Sequence, residues 1–131
     1  MSRKILIDTQ ALLWVQMNHE DVPRLARREL LDSTNELFVS LVSVWEMAIK
    51  LSIGKLKIAG KLESFMETAQ QDLGIALLPI RLEHVLRVEK MPFHHRDPFD
   101  RILIAQAAEE KMKILSNDSK FDKYEITRIW D

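Results

Sequence analysis

Cysteine is absent from the 131 residues, which excludes disulfides, thiolate metal sites and cysteine nucleophiles; any bound metal must sit on oxygen or imidazole. No apolar run reaches the roughly 20 residues needed to cross a bilayer, and no internal repeat or low-complexity stretch is present. An excess of one charge is missing too. Nineteen Lys plus Arg against twenty Asp plus Glu leave a formal charge of -1, so global charge does not mark a basic nucleic-acid binder. If the acids gather at one site, the rest of the surface is net basic, and Arg3, Lys50, Lys55, Lys57, Arg96 and Arg101 become candidates for phosphate contacts. A mixed solvated surface is the plainer reading of each. The opening Met1-Ser2-Arg3-Lys4-Ile5-Leu6-Ile7-Asp8 meets a carboxylate too early for a secretory signal, so a cytoplasmic location is expected.

What is present is an alternation of short apolar strands with amphipathic helices. Lys4 to Ile7 reads as a buried strand feeding a helix through Asp8 and Ala11-Leu12-Leu13-Trp14-Val15. Helices are predicted over 24–31, over 44–53 stopped by Gly54, over 62–73 stopped by Gly74, over 82–88 and over 99–111. Further strands are predicted over 37–40, 75–80, 113–116 and 126–130, with a polar, His-rich loop over 91–97. This order implies a three-layer α/β/α sandwich around a parallel sheet of four to five strands. Ligands of such sheets collect beyond the carboxyl ends of the strands, where the connections change direction.

Four acids fall at those ends, and each has an ordinary structural explanation. Asp8 suits a helix N-cap. Ser43-Val44-Trp45-Glu46 has the spacing of a capping box. Asp97-Pro98-Phe99-Asp100 reads as a helix start, with Asp97 as cap, Pro98 at the first helical position and Asp100 facing the positive dipole end. Asp118, in Ser116-Asn117-Asp118-Ser119, suits a turn. The predicted fold nevertheless sends all four toward one edge of the sheet, where crowded carboxylates repel one another unless a cation compensates. Oxygen ligation without Cys and without a His-x-x-x-His spacing points to Mg²⁺ or Mn²⁺ over Zn²⁺. The chemistry most natural to such a site is phosphodiester hydrolysis.

Four stretches also carry a resemblance to a known family. They are Ile5-Leu6-Ile7-Asp8-Thr9-Gln10-Ala11-Leu12-Leu13-Trp14; Val39 to Lys50, containing Val44-Trp45-Glu46-Met47, running on to Gly54-Lys55-Leu56; His94-His95-Arg96-Asp97-Pro98-Phe99-Asp100-Arg101 with Ile102 to Ala107; and Ile114-Leu115-Ser116-Asn117-Asp118. Together they resemble the PIN domain, and the Trp-Glu and His-His-Arg-Asp-Pro-Phe-Asp-Arg segments resemble its VapC-type toxin subgroup. The resemblance runs from end to end, so residues 1–131 are expected to form a single PIN-like nuclease domain.

That resemblance implies an endoribonuclease with an acidic quartet binding Mg²⁺ or Mn²⁺. Asp8, Glu46, Asp100 and Asp118 fall on the family's four acids, and Thr9 and Ser116 on small hydroxyl positions that support the acids or the metal's waters. It further implies RNA as substrate, a homodimer, and inhibition by a VapB-like antitoxin laid across the groove. Asp97 lies one turn from Asp100 and could point the same way; Asp100 is preferred because it directly precedes the apolar 102–105 face. Arg96 and Arg101 flank the third acid as candidate phosphate contacts, with ion pairs to Asp97 or Glu109 as the alternative. His94 and His95 are assigned to RNA contact or loop structure, and Trp14, Trp45, Met47 and Phe99 to the core. Gln10 is not followed by a second Asp, so the haloacid-dehalogenase motif is missing. The remaining rival is a non-catalytic receiver-like or flavodoxin-like α/β binding domain.

Overall fold

The computed structural model describes residues 3–131; Met1 and Ser2, part of the opening segment considered above, lie outside them. Five strands form one fully parallel sheet in the order β3-β2-β1-β4-β5: β1 Lys4–Ile7, β2 Glu36–Ser40, β3 Ala76–Leu78, β4 Lys113–Leu115 and β5 Arg128–Ile129. The six helices are α1 Thr9–Met17, α2 Arg24–Leu31, α3 Leu41–Ser52, α4 Leu62–Leu73, α5 Leu82–Lys90 and α6 Pro98–Glu109. The strand period of two sorts side chains between two cores. Ile5, Ile7, Leu37, Val39 and Leu115 pack with α1, α2 and α4 on one face, while Leu6, Phe38, Leu78 and Ile114 pack with α6 on the other. Burial on both faces is why these strands are continuously apolar. Each large side chain buried there contributes about 1.5–3 kcal/mol of transfer free energy before ordering costs.

Helices α2 and α4 begin and end where their periodicity puts them, and both spend their apolar stripes on the core through Leu25, Ala26, Leu30, Met66 and Ala69. Gly74 closes α4 at φ +66°, a left-handed position that costs glycine nothing. Other boundaries differ from expectation. Helix α3 starts at Leu41, capped by Ser40, whose hydroxyl accepts the Val42 amide at 3.0 Å. Ser43 therefore lies inside the helix, and the expected Ser43–Glu46 capping box is not formed. Strands β3 and β5 are shorter than predicted, and an unforeseen 3₁₀ turn occupies Ser119–Lys123. Among the described residues no helix is long and apolar enough to cross a membrane.

The order reverses at the centre of the sheet: the chain leaves β1 toward β2 and β3, then returns to place β4 on the other side of β1. The crevice beyond β1 and β4 is thus the switch point, the expected ligand position. This order also departs from the 2-1-3-4-5 order of flavodoxin-like and receiver-like sheets, which sets that rival aside.

Candidate metal centre

Asp8 leaves β1 at this switch point. Its amide still donates to Leu115 O (3.1 Å), holding it in sheet register, and its Oδ1 caps α1 by accepting the Ala11 amide (2.7 Å). Asp118 leaves the neighbouring strand by way of Ser116, whose hydroxyl accepts the Asp118 amide (3.0 Å) while Asp118 Oδ1 accepts the Lys120 amide (2.9 Å). Glu46 comes from the second turn of α3. The Thr9 hydroxyl donates to Ser43 Oγ (2.8 Å) and so ties the start of α1 to the start of α3. Asp100 sits in the first turn of α6, whose start is fixed by Pro98 and by Asp97 Oδ1 accepting the Phe99 amide (2.8 Å). Asp8, Asp97 and Asp118 thus each satisfy a local backbone requirement, as read from the sequence, whereas Glu46 does not.

The four also line one cleft of about 380 Å³, together with Thr9, Gln10, Lys50, Asp97 and Asn117. Asp8 and Glu46 are buried, and Asp100 and Asp118 are partly so. Burial pushes the Asp100 carboxyl up to about 7, reinforced by the charges of Asp97, Asp8, Glu46 and Asp118. Burial likewise raises Asp8 to about 6, against the lowering influence of the Ser116 hydroxyl and the Ala11 amide and with help from Asp118 and Glu46. Lys50 answers part of this charge: its Nζ lies 2.7 Å from Glu46 Oε2, and that contact raises the ammonium's own pKa. Glu46 Oε1 is buried with no donor among the described residues.

Three candidates sit differently from expectation. Arg101 is buried, and its guanidinium donates to Val88 O (3.0 Å), Pro92 O (3.1 Å), Met91 O (3.4 Å) and His95 O (3.5 Å) beneath the Phe93 ring. With its donors turned inward to brace the 88–95 segment, it is not free for a phosphate contact; nor does it pair with Glu109, which pairs with Arg87. Arg96 is exposed and does not line the cleft. Trp45, assigned to the core, is 58% exposed and meets Phe99 edge-on, at 5.3 Å between centroids.

His95 is the residue that sequence reasoning undervalued. His94 is exposed, but His95 turns inward, and its Nε2 lies 3.5 Å from Asp118 Oδ2. One donor atom each from His95, Asp100 and Asp118 lie within 4.8 Å of one another. The donor set fits a divalent cation: carboxylates pushed up chiefly by burial, with mutual repulsion adding to it, and a buried carboxylate oxygen without a donor line the cleft, and the His95 imidazole stands within ligand distance of two of its acids, Asp100 and Asp118.

Residues 5–126 match the PIN domain, and the protein belongs to that family. Among curated proteins none matches the chain. Solved structures share its fold. A chain of VapBC2 from Rickettsia felis, determined bound to a DNA fragment from their promoter, superposes with a TM-score of 0.74 at 14% identity, over 98% of this chain and 99% of that one. A chain of VapBC-1 from nontypeable Haemophilus influenzae gives 0.68 at 14% identity over 96% of each chain. One of FitAcB from Neisseria gonorrhoeae gives 0.63 at 17% identity, over 95% of this chain and 96% of that one.

Proposed function

We propose that this protein is a metal-dependent endoribonuclease, with Asp8, Glu46, Asp100 and Asp118 holding Mg²⁺ or Mn²⁺, and that it acts as the toxin of a VapBC-type toxin–antitoxin pair. The observation that carries the reading is the convergence of these acids, on a PIN fold, at the switch point between β1 and β4, with Asp8 and Asp100 driven toward neutral pKa values. A bound divalent cation supplies positive charge beside a scissile phosphodiester and acidifies a water for in-line attack. The chain's own residues do the remaining work. Asp8 and Asp118 are anchored through their Oδ1 atoms to backbone amides, so the site is preorganised. Lys50 orients Glu46 through Oε2, and Thr9 and Ser116 brace the two strand ends. Arg96, exposed beside the start of α6, is the candidate contact for flanking phosphates.

The relatives crystallised as VapBC and FitAcB complexes support an antitoxin partner here, and the resemblance supports a homodimer. Purified protein incubated with mixed RNA should cleave it with Mn²⁺, and not with a chelator or as the Asp8→Asn variant; equal cleavage in all three would sink the reading. Co-expression with the product of the gene immediately upstream should yield a co-purifying complex without nuclease activity.

A further inference from the structure

We propose that His95 Nε2 is a direct ligand of the cation centre, adding a nitrogen donor to the acidic quartet and tilting the site from Mg²⁺ toward Mn²⁺. This rests on reading the cleft as a cation site, and it goes beyond the four carboxylates.

The imidazole is built into the protein rather than left to solvent. It is 5% exposed, and its ring packs against Phe121 (4.9 Å between centroids) and stacks on Tyr124 (5.5 Å, 29° between planes). The Tyr124 hydroxyl accepts the amides of His94 (3.1 Å) and His95 (2.9 Å), fixing the backbone from which the ring projects. Neither ring nitrogen has a hydrogen-bond partner among the described residues. A buried imidazole without partners is costly, and its Nε2 is directed at Asp118 Oδ2, the oxygen that Asp118 does not spend on the Lys120 amide.

The separation is compatible with a shared ion. At 3.5 Å the Nε2–Oδ2 pair is too long for a good hydrogen bond between a charged donor and acceptor. Two atoms each about 2.1 Å from a shared ion stand about 3.0 Å apart when adjacent in an octahedron and about 4.2 Å apart when opposite. The observed 3.5 Å is longer than the adjacent value, so the two side chains would draw slightly together around an ion, and Asp100 offers a third donor within the same 4.8 Å cluster. Mg²⁺ favours all-oxygen shells, whereas an imidazole nitrogen is readily accepted by first-row transition ions. Mn²⁺ is the member of that series that carboxylates also suit.

The test is pulsed electron paramagnetic resonance of Mn²⁺ bound to the full chain, prepared with ¹⁴N- or ¹⁵N-labelled histidine, alongside Mn²⁺ and Mg²⁺ titrations. The expected result is a directly coordinated nitrogen coupling that changes with the isotope, disappears in His95→Gln and persists in His94→Gln. His95→Gln should weaken Mn²⁺ binding on the order of 10-fold or more, with a smaller loss for Mg²⁺. The wild-type spectrum needs no substitution, so misfolding of the variant leaves the question answerable. Bound Mn²⁺ without nitrogen coupling overturns the role of His95 and leaves the acidic centre standing. No Mn²⁺ binding at all overturns the metal centre, and this inference with it.

Discussion

Lys50 Nζ lies 2.7 Å from Glu46 Oε2, one turn along α3, with the carboxylate almost fully buried and the lysine nearly half exposed. The pair places a positive charge in a cleft whose other charged lining residues are Asp8, Asp97, Asp100 and Asp118. Lys50→Met removes that charge while keeping the aliphatic stem. Discounted for the lysine's exposure, the loss is about 0.5–1 kcal/mol, a fall of about 2–4 °C in the Tm of chelator-treated protein. Added Mn²⁺ should recover more stability in the variant than in the wild type. Equal melting of the two chelated proteins would show that Lys50 carries no share of the charge balance.

The raised carboxyls make a prediction whose sign runs opposite to that of ordinary acidic residues. Asp100 at about 7 and Asp8 at about 6 both lie above the value of 3.8 expected for an exposed aspartate. In the chelated protein the folded state therefore holds protons that the unfolded chain has already released. Their contribution to stability is fullest below about pH 4 and is lost as the pH rises through about 6 and about 7. Asp100→Asn keeps the shape and removes the charge. In urea titrations with chelator at pH 8, it should be more stable than wild type, with the advantage shrinking toward pH 5, while RNA cleavage is abolished. A variant less stable than wild type at pH 8 would mean that the acids are not in conflict.

Much of this arrangement was legible because local and global signals agree. The apolar period set α2 and α4 to the residue, and Asp97-Pro98 announced the start of α6 through cap chemistry that acts within four residues. Helix α3 was misread because Ser40 and Ser43 both suit a cap. The choice was made by where β2 ends in register with β3, a tertiary fact. His95 escaped for a related reason. Its surroundings are Phe121 and Tyr124, brought in by a 3₁₀ turn of Ser, Lys and Asp residues that shows no apolar periodicity. Arg101 reads as a phosphate contact because it flanks Asp100 in the sequence, yet four carbonyls of the preceding segment capture it.

Arg101 and Arg96 should separate cleanly in experiment. Arg101→Ala strips a buried cation from several backbone acceptors, at a cost of about 3 kcal/mol or more, and should lower Tm by about 10 °C. Arg101→Lys should recover little, because one ammonium does not reproduce the planar fork. Arg96→Ala should stay within about 0.5 kcal/mol of wild type and weaken RNA binding in a salt-dependent manner. Thermal melts and RNA titrations at two salt concentrations check both; stable Arg101→Ala protein with weakened RNA binding would reverse the assignment.

Thr9 raises a sharper question, since its hydroxyl lines the cleft and also donates to Ser43 Oγ at 2.8 Å. As a brace, it holds the first turns of α1 and α3 together and thereby sets Asp8 relative to Glu46. Thr9→Val preserves shape and leaves the buried Ser43 hydroxyl without its donor, costing about 1–2 kcal/mol and lowering Mn²⁺ affinity as the two acids drift apart. Replacing both partners by apolar groups removes the unsatisfied atom as well, so Thr9→Val with Ser43→Ala should regain most of the lost stability. A brace predicts that Mn²⁺ affinity and RNA cleavage return along with stability in the double variant. Restored stability without restored cleavage would instead assign the Thr9 hydroxyl a direct part at the metal or its waters.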